Sequence, residues 1–234
     1  MSVAEPLEIG QHRMLDAAQC AELSRRVLGL SGDWVRRGLG FYSLGTAAYL
    51  DAPQSHAEYL ERAHDTNPVL RANFADIHEL VRTFFDERLA EPVRLTEDRA
   101  VPGFHVFEYD GSSCEFDRPA TRAHFDLQWM IALPGRPPTA TLSFTLAIEQ
   151  PSGGAALEVW PLRYEEALSL GAPSADYADA HPSRRIAYTC GCMAVHDGHL
   201  LHAIGKSEIP NPVGRRITLQ GHGALLDGVW VLYW

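Results

Sequence analysis

The stretch Ala123-His124-Phe125-Asp126-Leu127-Gln128-Trp129-Met130 alternates polar and apolar residues with the period of two expected of a strand. Read as part of a strand over 123–132, it puts His124, Asp126, Gln128 and Met130 on one face and Phe125, Leu127 and Trp129 on the other. One face is apolar; the other offers an imidazole and a carboxylate that can converge on one ion. A third ligand from a neighbouring strand would complete a two-histidine, one-carboxylate set, which leaves part of the coordination sphere open.

Spacing alone is weak in a chain with 11 histidines, and the sequence supplies a control. His56-Ala57-Glu58 has the same spacing but lies in Ser55–Arg62, which reads as a polar helix where residues two apart diverge. That pair is expected to be solvated surface. For the third ligand, Asp197-Gly198-His199-Leu200-Leu201-His202 offers two histidines. His202 follows an apolar pair entering the core and is preferred. His199 adjoins the Asp197-Gly198 turn, and His196 ranks below both. An open three-ligand site is what allows non-haem iron to take an oxo-acid and dioxygen together, whereas a closed tetrahedral site would be structural zinc.

Downstream, Gly214-Arg215-Arg216-Ile217-Thr218-Leu219-Gln220-Gly221-His222 places Arg216, Thr218, Gln220 and His222 on one strand face and Ile217 and Leu219 on the other. A guanidinium can grip a carboxylate with two parallel hydrogen bonds, and Thr218 can add a third. Arg215 points outward in this register, and a slip of one residue would exchange the two arginines. Gln128 reads equally as a contact to substrate or cosubstrate and as a cap on a neighbouring strand.

Around these segments the chain divides into two textures. Residues 1–100 are mainly helical: Met14–Leu30 carries apolar residues at helical intervals with Asp16 as a cap, and a longer helix starts near Pro68 and ends before Pro92. From about 101 onward, short alternating or apolar runs separated by Gly, Pro and Asp predict strands at 104–109, 123–132, 141–148, 155–160, 185–189, 193–196, 200–203, 216–221 and 229–233. Gly153-Gly154 marks a turn, and Phe41–Leu50 suggests one further strand. Trp34–Leu50 reads as either a lid or a packed strand, and Trp129, Trp160, Trp230, Tyr233 and Trp234 as core. The fold class is therefore α+β, a jelly-roll or cupin-like core at 101–234 with N-terminal helices packed outside, in a single domain over 1–234.

Composition sets the outer limits. The 234 residues carry a formal net charge of −10, which disfavours a phosphate-binding track and hence nucleic acid. The N-terminus lacks a secretory pattern and no apolar run is long enough to span a bilayer, so a cytoplasmic protein without membrane contact is expected. Cys20, Cys114, Cys190 and Cys192 follow neither zinc-finger nor disulfide spacing and read as reduced, mostly buried thiols, with Cys190 and Cys192 sharing a strand face.

The ordered set His124-x-Asp126, His202 after Leu-Leu, and Gly-x-Arg216-x-Thr218, with the Gly153-Gly154 turn before a core strand, resembles the Fe(II)/2-oxoglutarate-dependent dioxygenase superfamily over residues 101–234. The resemblance implies a double-stranded β-helix, Fe(II) held by His124, Asp126 and His202, and 2-oxoglutarate anchored by Arg216 with Thr218 and Gln128. It also implies dioxygen as oxidant, with succinate and carbon dioxide released. Asp126 favours hydroxylation, desaturation or ring formation over halogenation, since halogenating relatives carry a small residue there. The expected substrate is an amino-acid-like small molecule. A peptidyl side-chain hydroxylase and a cupin-like metal enzyme without 2-oxoglutarate are the alternatives, and oligomeric state is open.

Overall fold

A computed structural model describes residues 9–51, 55–111, 123–171, 173–205 and 207–234. In chain order the elements begin with β1 (Gly10–Arg13), α1 (Ala17–Gly29), β2 (Val35–Gly38), β3 (Phe41–Leu44), α2 (Ala48–Asp51) and α3 (His56–Asp86). They continue with β4 (Val93–Leu95), β5 (Gly103–Asp110), α4 (Trp129–Ala132), β6 (Thr141–Glu149), β7 (Ala156–Arg163), α5 (Tyr164–Leu170) and α6 (Ser174–Ala180). The last five are β8 (Arg184–Ala187), β9 (Cys192–His196), β10 (Leu200–Gly205), β11 (Val213–Leu226) and β12 (Val229–Tyr233).

Among the described residues the strands form two sheets. The larger has nine strands, with β1-β9-β6-β11-β5-β3-β2 as its main path and β12 and β4 attached beside β11; the smaller is β10-β7-β8. All pairings are antiparallel except β12 with β4. The long strand β11 organises the large sheet, pairing with β5, β6 and β12 along its length.

Strand alternation sorts the large sheet into two buried faces. Phe104 and Val106 of β5, Leu142, Leu146 and Ile148 of β6, and Ile217 and Leu219 of β11 join one apolar cluster with α1 and α3. Burying such side chains stabilises by about 1.5–3 kcal/mol each, which fixes the register. The opposite face therefore presents the intervening residues, many of them polar, towards the small sheet.

Asp16 caps α1 as expected. Its side chain accepts from the Gln19 backbone N–H while the Gln19 side chain accepts from the Asp16 N–H. The long helix departs from the sequence reading: it starts at His56 with Ser55 as cap, and Pro68 sits inside it, with a break in helical geometry at Phe74. The apolar stripe of Tyr59, Ala63, Leu70, Phe74, Ile77 and Val81 runs through both halves, so burial carries the helix past the proline. Phe41–Leu50 is strand only to Leu44 and then turns into α2. Cys190 lies in a turn and is exposed, and Cys192 opens β9, so they do not share a strand face; Cys20 alone of the described cysteines is buried. Cys114 lies outside the described residues. No helix among the described residues is long and apolar enough to cross a membrane.

Candidate metal centre and cosubstrate pocket

His124 and His202 exchange a pair of backbone hydrogen bonds, 2.9 and 3.0 Å, and the Asp126 N–H donates to the Gly198 carbonyl at 2.8 Å. This short antiparallel bridge lays His124 and Asp126 beside β10. The strand read over 123–132 is not formed: pairing stops after the bridge at His124, and the chain turns at Gln128 into α4. Helical bonds to the Gln128 and Trp129 carbonyls replace ladder bonds there, so Met130 leaves the site and is 43% exposed. His124 and Asp126 nonetheless face the same way, because the backbone between them is still extended.

One ligand atom from each of His124, Asp126 and His202 lies within 4.8 Å of the others. His202 Nε2 is 3.3 Å from Asp126 Oδ2, and His124 Nε2 is 3.6 Å from Asp126 Oδ1. His202 Nδ1 pairs with the Leu200 carbonyl at 2.8 Å; as only an N–H can donate to a carbonyl, Nδ1 carries a hydrogen and Nε2 is the nitrogen turned towards Asp126. Gln128 Nε2 donates to Asp126 Oδ1 at 2.8 Å, leaving Gln128 Oε1 buried without a partner. Gln128 thus orients the carboxylate. Burial opposes the charge on Asp126, but His202, His222 and His124 outweigh it and hold the carboxyl well below the usual range. The decoy His56-Ala57-Glu58 is helical, as expected, although His56 Nδ1 also meets the Ile131 carbonyl at 2.9 Å.

His199 is turned away from the centre and meets Glu165 at 2.5 Å. His196 stays close, its ring 4.3 Å from that of His202, and burial together with the His202 charge pushes its pKa down to about 4.

A cavity of about 490 Å³ opens beside the three candidate ligands, walled by both sheets. Leu157, His202 and Ile204 come from the small sheet and His105, Phe107, Ser143, Thr145, Gln220 and His222 from the large one. Arg216 is 1% exposed, and none of its three side-chain nitrogens has a hydrogen-bond partner among the described residues. Its guanidinium lies 5.4 Å from the Phe107 ring centre and 5.0 Å from that of Tyr188. Both rings line the cavity, so Arg216 lies just behind its wall. Thr218 is fully buried beside it and accepts from Gln220 Nε2 at 3.2 Å. Arg215 faces outward to Glu149, 3.3 Å away, so the register puts Arg216 inside.

Three cavity residues were not assigned to the site from the sequence, which reads His105 and His222 as buried histidines bonded to strand carbonyls. His105 Nε2 shares a 2.8 Å hydrogen bond with the Tyr49 hydroxyl while its Nδ1 has no partner; burial, then Arg216 and Arg37, push its pKa well down. His222 Nδ1 approaches Ser143 Oγ at 3.1 Å, and its Nε2 is buried and unpartnered. Arg37 reaches the cavity from β2. His222 carried a signal, since it shares a strand face with Arg216, Thr218 and Gln220, and His105 lies in the alternating 104–109 run. Arg37 carried none, because β2 is too short to show alternation.

No protein-family model and no curated protein matches the chain. Solved structures do. An N-substituted L-amino acid dioxygenase from Burkholderia ambifaria AMMD, in complex with alpha-ketoglutarate, is 16% identical with a TM-score of 0.58, over 96% of this chain and 85% of that one. The fold is shared. HygX from Streptomyces hygroscopicus, with nickel and 2-oxoglutarate bound, is 14% identical with a TM-score of 0.50, over 92% of this chain and 82% of that one. AviO1 from Streptomyces viridochromogenes Tue57 is 15% identical with a TM-score of 0.50, over 94% and 91%.

Proposed function

We propose that residues 1–234 act as one Fe(II)- and 2-oxoglutarate-dependent oxygenase domain, its two sheets the halves of a double-stranded β-helix, that hydroxylates an unactivated C–H bond of an amino-acid-like small molecule. The observation that carries this reading is Arg216. A fully buried cation without an acceptor is costly, and here it stands behind a cavity whose other end gathers two imidazoles and a carboxylate. A dicarboxylate that chelates a metal with one end and meets a guanidinium with the other satisfies both.

The donor set suits Fe(II): His124, Asp126 and His202 would hold it from one side, leaving the cavity side for other ligands. When bound with 2-oxoglutarate and dioxygen, iron supplies an oxidant able to attack an unactivated C–H bond. The chain's own part is to fix the ligands and order the partners. Gln128 holds Asp126 in place, the Leu200 carbonyl fixes the His202 tautomer, and Thr218 stands beside Arg216 to receive the distal carboxylate. Phe41, Phe107, Leu127 and Ile131 wall the cavity against water. Its volume suits a small metabolite, and an amino acid dioxygenase shares the fold.

The test is binding followed by turnover. Protein loaded anaerobically with Fe(II) should bind one 2-oxoglutarate by calorimetry and release succinate on exposure to oxygen with a substrate. Failure of the metal-loaded protein to bind 2-oxoglutarate would rule the reading out.

A further inference from the structure

Arg37 is placed unlike an ordinary surface ion pair. Its Nε donates to Ser43 Oγ at 2.8 Å and its two terminal nitrogens donate to Asp51 Oδ1 and Oδ2, each at 2.7 Å. Three of the five guanidinium N–H groups are thereby used, leaving one on each terminal nitrogen without an acceptor among the described residues. The side chain is 10% exposed and lines the cavity. Asp51 is buried and also accepts from Arg62 at 2.9 Å and from the Ala47 backbone N–H at 2.9 Å. One carboxylate thus faces two guanidiniums; Arg62 is half exposed outside the cavity and shares Asp51 with Arg37, so Arg37 is only partly neutralised where it lines the cavity. An ion pair tying β2 to α2 would need only Arg37 and Asp51, not the second arginine.

This charge is separate from Arg216. Across the large sheet Arg216 pairs with Phe107, Phe107 with Phe41, and Phe41 with Gly38, the neighbour of Arg37. Three inter-strand steps put roughly 14 Å between the two backbones, so the arginines enter the cavity from different strands, on either side of Phe41 and Phe107. Between them Phe41 and Phe107 stack at 4.5 Å and form an apolar floor.

We propose that Arg37 anchors a carboxylate of the substrate, so that the substrate is a small carboxylic acid whose apolar body lies over Phe41 and Phe107. This rests on the oxygenase reading and narrows its substrate class. Arg216 takes the cosubstrate's carboxylate and Arg37 the substrate's. The charge that Arg37 retains because Arg62 shares Asp51 compensates the second anion in a cavity that already receives a dianion.

The full chain, loaded with Ni(II) and saturated with 2-oxoglutarate, is titrated by calorimetry with a panel of apolar L-amino acids and their N-acyl and N-alkyl derivatives, each beside its carboxamide. Acids should bind at least about tenfold more tightly than their carboxamides, the range of a charge-assisted hydrogen bond. Arg37→Gln should reduce the acid to the level of the amide while leaving 2-oxoglutarate affinity unchanged. Arg62→Gln leaves the Arg37–Asp51 fork in place and should weaken the acid severalfold, with the difference shrinking in high salt; it decides the matter if Arg37→Gln melts at a much lower temperature. Equal binding of acid and amide, no binding by any acid of the panel, or acid affinity indifferent to both substitutions would overturn the proposal. Absence of 2-oxoglutarate binding to the unsubstituted protein would instead count against the oxygenase reading, and is seen in the preceding titration.

Discussion

Replacing Arg216 by Met separates a group built for a ligand from one built for the fold. Arg216 is 1% exposed with no hydrogen-bond partner for its side-chain nitrogens among the described residues. Burying an ion unpaired costs several kcal/mol, of which two ring contacts at 5.0 and 5.4 Å return about 1–2 kcal/mol. Methionine fills the same slot without charge, so Arg216→Met should stabilise the ligand-free protein by at least about 1 kcal/mol, or about 2–4 °C in Tm for a chain of this size. With Ni(II) and 2-oxoglutarate at a hundredfold its Kd, the unsubstituted protein should gain about 2.7 kcal/mol. Loss of two charge-assisted contacts removes about 3 kcal/mol of affinity, which leaves the variant at about 40% saturation with a gain of only about 0.3 kcal/mol. Thermal unfolding of both proteins, with and without 2-oxoglutarate, measures all four values. A variant destabilised without ligand and still stabilised by about 2.7 kcal/mol with it would refute the reasoning.

Other sites give expectations of different kinds. Gln128→Leu removes the bond that orients Asp126 and should lower Mn(II) affinity about 10- to 100-fold, measured by competition with a chelating dye, while far-ultraviolet circular dichroism stays unchanged. Gly103→Ala would place a Cβ 2.3 Å from Trp234 Cζ3 and 2.8 Å from the Leu44 carbonyl oxygen, so it should destabilise by about 1–3 kcal/mol or more in urea unfolding. His78 is buried and hydrogen-bonded through Nε2 to the Pro102 carbonyl, and burial lowers its pKa from 6.5. Below pH 6.5 the unfolded chain takes up a proton there that the folded chain refuses, so stability should fall as pH falls towards the folded pKa. His78→Gln should flatten that slope in denaturant titrations at pH 7, 6 and 5.

β5, β6 and β11 were legible because each has one face against the helices and another towards the cavity, so alternation survives in the sequence. β1, β2 and β4 have three or four residues each, too few for a period, and exist only through their partners. The long helix was misplaced at its start because Pro68 resembles a first-turn residue, whereas packing of Tyr59 and Ala63 extends the helix three turns earlier. The gathering of His124, Asp126 and His202 and the burial of Arg216 were legible, but for a partly mistaken reason. His124 and Asp126 converge through a two-residue bridge and a turn rather than a full strand. Gln128, on the expected face, bends back on Asp126 once α4 begins, a contact that no periodicity encodes. Arg37 became visible only when β2 was placed beside β3, since its meaning comes from Asp51 and Arg62, which lie 14 and 25 residues away in the chain.

The three backbone hydrogen bonds that join His124 and Asp126 to His202 and Gly198 also make ion capture and local docking a single equilibrium. Two of the three candidate ligands ride on a segment that owes its position to those bonds, so apparent metal affinity is the intrinsic affinity scaled by the fraction of molecules in which the segment is seated. An ion shared by His124 and His202 would clasp a loop of 78 residues, counted from their positions in the chain. Closing such a loop removes about 4–5 kcal/mol of unfolded-chain entropy in the cross-link model. The amides of His124, Asp126 and His202 would then exchange with solvent deuterium at a rate set by ion release, making them internal reporters of occupancy.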